Sequence, residues 1–103
     1  MILYLDTSAL VKLYVREDGS AHLRRRTSTA RALATSVVAY AEARAAFGRL
    51  RRSGLSSDAL HRRRVAQLDL DWNDWLRVEL AQDVTRSAGE LADNLALRGF
   101  DAI

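Results

Sequence analysis

The chain has 103 residues, of which 49% are hydrophobic and 28% charged, a composition typical of one small globular domain. It contains no Cys, which excludes disulfides, thiolate zinc sites and Cys nucleophiles. The formal net charge is +3; of the sixteen cationic residues one is Lys12 and the other fifteen are Arg, which binds phosphate and carboxylate groups bidentately.

Strands and helices alternate along the first part of the chain. The continuous apolar run at residues 2–5 is typical of a strand buried on both faces. Thr7 and Ser8 can cap a helix that follows it, and Ser20 can cap a second helix. Residues 32–35 then indicate a second short strand.

The alternation continues to the end of the chain. We expect a longer helix over about residues 37–53. Ser36 can cap its start, and Gly54 stands just past its end. Three further elements are predicted: a helix beginning near Ser56, Ser57 and Asp58, a strand at residues 76–80, and a last helix at residues 83–98. The pattern predicts an α/β fold, with a small central parallel sheet flanked by helices.

Right-handed crossovers in such a fold place the C-terminal ends of all the parallel strands on one edge, where ligand sites lie. Asp6 ends the first predicted strand and therefore belongs to this edge. Asp101, in the stretch LRGFDAI, follows a Gly-Phe pair at the point where a new helix is expected to begin.

Glu42 is a third candidate, on the helix after the second strand. Its helix face carries mainly small apolar residues at i−4, i−1, i+3 and i+4, and only Arg49 at i+7 is charged on that side. We therefore expect Glu42 to be half buried or to face a crevice.

Each carboxylate also has an ordinary structural explanation. Asp6 and Asp101 can be helix N-caps, and Glu42 can belong to an ion pair on a solvated helix face. A divalent metal would give the three a reason to meet, because Mg²⁺ and Mn²⁺ prefer oxygen ligands and a cation offsets the repulsion between grouped carboxylates. Such a site suits a phosphate substrate. No Gly-rich phosphate loop, G-x-S-x-G motif or metal-spaced His pair competes with it.

Three stretches, LYLDTSALVKLY, TSVVAYAEARAAF and LRGFDAI, in this order and at these separations, resemble the PIN-domain family, and more narrowly the VapC-type toxins of bacterial toxin–antitoxin pairs. The resemblance covers essentially the whole chain. It implies that Asp6, Glu42 and Asp101 are the catalytic, metal-binding acids, with Asp101 opening the helix after the RG turn. It also implies that Ser8 supports Asp6 by hydrogen bonding, with Thr7 as a second supporting hydroxyl beside it.

The function implied by this resemblance is that of a divalent-metal-dependent endoribonuclease. Mg²⁺ or Mn²⁺ would activate the water that hydrolyses RNA phosphodiester bonds, leaving a 5′-phosphate and a 3′-hydroxyl. The implied partners are the RNA substrate, a cognate antitoxin and a second copy of the chain in a homodimer. Because the sequence shows no leader segment and no apolar run of ~20 residues, we expect a cytoplasmic protein with no membrane partner.

The sequence departs from the family's pattern at its end. The family continues past the DAI segment with the rest of that helix and a fourth strand, so we expect one PIN-like domain over residues 1–103 that is incomplete at its C-terminus. The incomplete site favours an alternative, a PIN-like module that binds an antitoxin or RNA without cutting it. A phosphotransfer domain of the receiver or haloacid-dehalogenase kind also places an Asp after strand one, but usually with a second acid that DTS does not provide.

Four aromatic residues are candidate interface anchors, because Trp and Tyr are enriched at interface hot spots. They are Tyr40, Phe47, Trp72 and Trp75. Core packing is the preferred interpretation for Phe47.

Overall fold

The computed structural model describes residues 1–79 and 100–102. In chain order its elements are β1 (Ile2–Leu5), α1 (Thr7–Val11), α2 (Ser20–Thr29), β2 (Ala32–Ser36), α3 (Ala39–Arg52), α4 (Asp58–Trp72), β3 (Leu76–Val78) and β4 (Phe100–Ala102). The α/β class predicted from the alternation is confirmed. The helix predicted at residues 83–98 lies outside the described residues.

The described strands form one parallel sheet in the order β3-β2-β1-β4. Leu5 of β1 pairs with Thr35 of β2, and Thr35 pairs with Arg77 of β3, so these three strands end side by side. The buried Thr35 hydroxyl donates a hydrogen bond to the Leu5 carbonyl at 2.8 Å, and the Val37 N–H donates to the Val78 carbonyl at 3.0 Å. The sheet edge at which a ligand site was predicted is therefore tied together by backbone and side chain.

Strand β4 lies where the sequence predicted a turn and the start of a helix. That prediction is wrong for Phe100–Ala102, whose backbone pairs in parallel with Ile2, Leu3 and Tyr4. An outer strand edge presents unpaired N–H and C=O groups, and this segment satisfies those of β1. The pairing joins the two ends of the chain, so no local sequence pattern could indicate it.

Helix boundaries follow the predicted caps in some places and not in others. Ser57 accepts a hydrogen bond from the Leu60 N–H at 3.1 Å and caps α4, and Gly54, just past α3, has φ +80°, as its predicted role requires. Ser36 accepts from the Val38 N–H at 3.3 Å, but α3 begins later than predicted, at Ala39.

The predicted cap of α2 is wrong. Its N-cap is Gly19, in the left-handed region at φ +88°. The Ser20 hydroxyl instead accepts from the Glu17 N–H and donates to the Val15 carbonyl. It therefore stabilises the turn before the helix.

The core lies between β1 and the helices that pack on it. Leu3, Leu5, Leu10, Phe47 and Leu68 are each 0% exposed and belong to one cluster. Helix α1 packs on α3, and α3 packs on α4. The alternate residues of β1 are only half buried, so the prediction of a strand buried on both faces holds for one face.

Tyr14 fastens the segment after α1 to α4. Its hydroxyl donates to Asp71 Oδ2 at 2.7 Å, and its ring meets Phe47 edge-on at 5.8 Å between centroids. Burial first, and then the hydrogen bond and charge of Asp71, raise the pKa of Tyr14. The pKa of Tyr14 in the folded state lies above the ordinary tyrosine value of about 10. The protonated Tyr14 hydroxyl therefore contributes its full share of stability below a pH of about 10, and that share is lost as the pH rises through the folded-state pKa.

The four aromatic residues considered as interface anchors divide between core and surface. Phe47 is in the core, as predicted, and Trp75 is also buried, whereas Tyr40 and Trp72 are half buried and lie 5.5 Å apart between ring centroids. Within residues 1–79 and 100–102, no helix has the length and apolarity to cross a membrane.

Replacing Phe47 by Ala should lower the free energy of unfolding by about 3–5 kcal/mol, because it leaves a cavity and removes the contact with Tyr14. Urea titration followed by circular dichroism measures the change. Leu55→Ala is the control: Leu55 is 76% exposed, so its loss should change stability by less than about 0.5 kcal/mol. Similar losses in both variants would contradict the assigned core.

Candidate functional site

Asp6 follows β1 directly and caps α1. Its Oδ1 accepts hydrogen bonds from the Ala9 N–H at 2.8 Å and from the Ser8 hydroxyl at 3.0 Å. The bond predicted from Ser8 is therefore present. The prediction that Thr7 and Ser8 cap this helix is wrong, because the chain turns into the helix one residue earlier and Asp6 occupies the N-cap.

The two oxygens of Asp6 have different surroundings. Oδ1 is engaged by the helix, whereas Oδ2 has no hydrogen bond to any residue in the described part of the chain, and the side chain is exposed. Within the described part of the chain, one oxygen of this carboxylate thus serves the fold and the other has no hydrogen-bond partner.

Glu42 lies in the first turn of α3, and its carboxylate is exposed. Thr7 donates a hydrogen bond from its hydroxyl to Glu42 Oε1 at 3.1 Å. Thr7 therefore contacts the second acid and not Asp6, the acid that it was predicted to support. Two adjacent hydroxyls, on Thr7 and Ser8, hold two carboxylates that lie far apart in the sequence.

Beside these groups is an open cleft of about 430 Å³ between α1 and α3. Its described lining consists of Thr7, Ser8, Val11, Glu17, Glu42, Ala45, Ala46 and Arg49. The prediction that Glu42 faces a crevice is confirmed. The small side chains at positions 45 and 46 leave the space open.

The negative charge of Asp6 affects the pKa of Tyr4 in the neighbouring strand β1. Burial chiefly, and the Asp6 charge in addition, raise the pKa of Tyr4. The Tyr4 phenol is therefore harder to ionise than a free tyrosine.

Asp101 lies in β4, and its backbone pairs with Leu3, three residues before Asp6 along β1. That offset corresponds to about 10 Å along the strand direction. The Asp101 side chain lies outside the described residues. The structure thus links Asp6 and Glu42 through the adjacent hydroxyls of Ser8 and Thr7, and it pairs the Asp101 backbone with an earlier position of β1. Among the described residues, no three His, Cys, Asp or Glu form a metal-binding group.

The donor set at the sheet edge fits a hard divalent ion. Asp6 Oδ2 and Glu42 Oε2 belong to exposed side chains and have no hydrogen bond to the described residues. Mg²⁺ commonly binds proteins through one or two carboxylates while it keeps several waters. Asp6 and Glu42 are therefore the described side chains that would hold Mg²⁺ or Mn²⁺.

Comparison with known proteins assigns the chain to a family. The PIN domain family model matches residues 3–103. Ribonuclease VapC45 of Mycobacterium tuberculosis (strain CDC 1551 / Oshkosh) is 37% identical over 106 aligned positions, which cover 99% of this chain and 71% of that protein. Ribonuclease VapC49 of Mycobacterium tuberculosis (strain ATCC 25618 / H37Rv) matches with the same identity and coverage.

The chain belongs to the PIN-domain family, and the resemblance seen in its motifs is confirmed. Membership also argues against the phosphotransfer alternative, because the match extends over nearly the whole chain and not only over the Asp after the first strand.

The cap made by Asp6 can be tested separately from any chemistry. Asp6→Ala removes the acceptor for the Ala9 N–H and should lower the free energy of unfolding by roughly 1 kcal/mol. Asp6→Asn keeps an acceptor at the same position and should change it by less than about 0.5 kcal/mol, since Asn is as good an N-cap as Asp. Chemical denaturation measures both, and equal losses would contradict the cap.

The hydrogen bond from Thr7 to Glu42 predicts coupling between the two residues. In a double-mutant cycle of Thr7→Val and Glu42→Ala, the interaction energy should be about 0.5–1 kcal/mol, a modest value because the bond is solvent-exposed. Thr7→Ser keeps the hydroxyl and is the control. Strictly additive effects in denaturation experiments would show that the bond does not form in solution.

Proposed function

We propose that this chain is a divalent-metal-dependent endoribonuclease, the toxin of a VapBC-like toxin–antitoxin pair. The observation that carries the proposal is that the adjacent hydroxyls of Ser8 and Thr7 hold Asp6 and Glu42, two acids from separate elements, and that Glu42 and both hydroxyls line one open cleft. The similarity to two proteins named ribonuclease VapC supports the same conclusion.

Asp6 and Glu42 are the proposed metal-binding acids, through the oxygens that the fold leaves without hydrogen bonds. Ser8 and Thr7 are positioning residues: each donates a hydrogen bond to one carboxylate oxygen and so restricts how that carboxylate can rotate. Asp101 is the proposed third acid. Its role is supported by the motif LRGFDAI and not by the register of β4.

When bound, Mg²⁺ or Mn²⁺ would activate a water for attack and offset the negative charge that develops at phosphorus. The protein's own part is to hold the carboxylates in place and to admit the substrate. An open cleft with small side chains along α3 suits an extended RNA strand. Cleavage is proposed to leave a 5′-phosphate and a 3′-hydroxyl.

The proposed partners follow from the same site. A cognate antitoxin would cover the cleft and present Arg or Lys to the acids, since charge-assisted hydrogen bonds to carboxylates are strong. We further propose a homodimer in the cytoplasm.

A second candidate function is a PIN-like module that binds RNA or an antitoxin without cutting. The register of Asp101 with Leu3 favours it, because the backbone of the third acid is not level with Asp6.

RNA cleavage distinguishes the two functions. Purified protein should cut a labelled single-stranded RNA in Mg²⁺ or Mn²⁺ and lose this activity in EDTA. Asp6→Asn and Glu42→Gln should each lower the rate by at least about 100-fold, since each removes a metal-binding charge. Asp58→Asn is the matched control: it also removes one exposed carboxylate, in the first turn of α4, and should retain full activity.

Cleavage that persists in Asp6→Asn would point to a contaminating nuclease and contradict the proposal. RNA binding without metal-dependent cleavage would favour the binding module. Asp101→Asn reports on the third acid: a loss comparable to that of Asp6→Asn assigns Asp101 to the site, whereas full activity restricts the site to Asp6 and Glu42.

A further inference from the structure

Arg49 lines the same cleft as Glu42. It lies seven residues after Glu42 on α3, and both side chains line the cleft, with Ala45 and Ala46 between them. Seven residues of α-helix advance about 10 Å along the axis and return to within about 20° of the same direction. One face of α3 therefore carries a carboxylate, then a stretch of small residues, then a guanidinium.

The Arg49 guanidinium is available to a ligand. The residue is exposed, and it makes no hydrogen bond or ion pair with the described residues. Glu17 lines the same cleft without pairing with it. Among the described residues that line the cleft, Arg49 is the cationic one.

A purely structural role explains part of this arrangement. Arg49, Arg51 and Arg52 all lie in the last turn of α3, where positive charge is favourable to the helix dipole. That effect depends on position along the helix and not on the face of the helix. Arg51 is exposed and lies about 200° around the axis from Arg49, so it shares the dipole effect but not the direction.

We propose that Arg49 binds a backbone phosphate of the RNA strand, at a nucleotide adjacent to the one cut beside Asp6 and Glu42. This inference rests on the proposed function, which supplies RNA as the ligand. The guanidinium fork binds phosphate bidentately, and a rise of about 10 Å between the Glu42 and Arg49 backbones along α3 allows the two side chains to serve neighbouring phosphates of one strand. Arg49 therefore places the strand in the cleft, and its contact is independent of base sequence.

Binding without cleavage tests the assignment. Variants are made in the Asp6→Asn background in EDTA, and a short fluorescein-labelled single-stranded RNA of mixed sequence is titrated by anisotropy at several salt concentrations. Arg49→Ala should raise the Kd about three- to tenfold and reduce the slope of log K against log salt by about 0.7, the value for one phosphate contact on a single strand. Arg49→Lys should keep the slope, because the charge remains.

Arg51→Ala is the matched control and should change the Kd by less than about twofold. Equal effects of Arg49→Ala and Arg51→Ala, with unaltered thermal stability, would overturn the proposal. If the background protein binds no RNA, this proposal and the proposed function both fail. If the Arg49 effect is found but no metal-dependent cleavage is detected with unmodified protein, only the catalytic part of the proposed function fails.

Discussion

The arrangement of this site depends on how the Asp6 carboxylate is divided between two tasks. A carboxylate at the end of an apolar strand needs partners, and Asp6 finds them in the Ala9 N–H and the Ser8 hydroxyl, both on the same oxygen. The choice between a structural cap and a functional acid is therefore not exclusive. The cap fixes the direction of the side chain, and the second oxygen keeps its capacity for a ligand.

The rest of the fold brings a second acid to this point. Parallel pairing aligns the ends of β1, β2 and β3, and the buried Thr35 hydroxyl binds the last carbonyl of β1. Helix α3 begins just after β2 and presents Glu42 in its first turn, where Thr7 reaches it. Two consecutive side chains of α1 thus contact the two acids, which links both carboxylates to one helix of only five residues.

Much of this could be predicted from short-range pattern. The apolar run before Asp6, the alternation of strands and helices, and the small residues around Glu42 depend on local spacing, and they correctly indicated the fold class and the crevice. The Thr7 contact could not be predicted, because it joins residues 35 positions apart through side chains that lie on different helices. The strand at Phe100–Ala102 was missed for a similar reason, since only the open edge of β1 makes that segment a strand.

Helix α3 has a further consequence, because it carries both an acid and a guanidinium on one side. The distance between Glu42 and Arg49 along the axis is set by the backbone hydrogen bonds of one helix. It does not depend on how two separate elements pack. Under the proposed function, the helix would fix the distance between the site of RNA cleavage and the phosphate bound by Arg49. Inserting a single residue between Glu42 and Arg49 would turn the guanidinium about 100° away and disrupt this measure, even if every other contact survived.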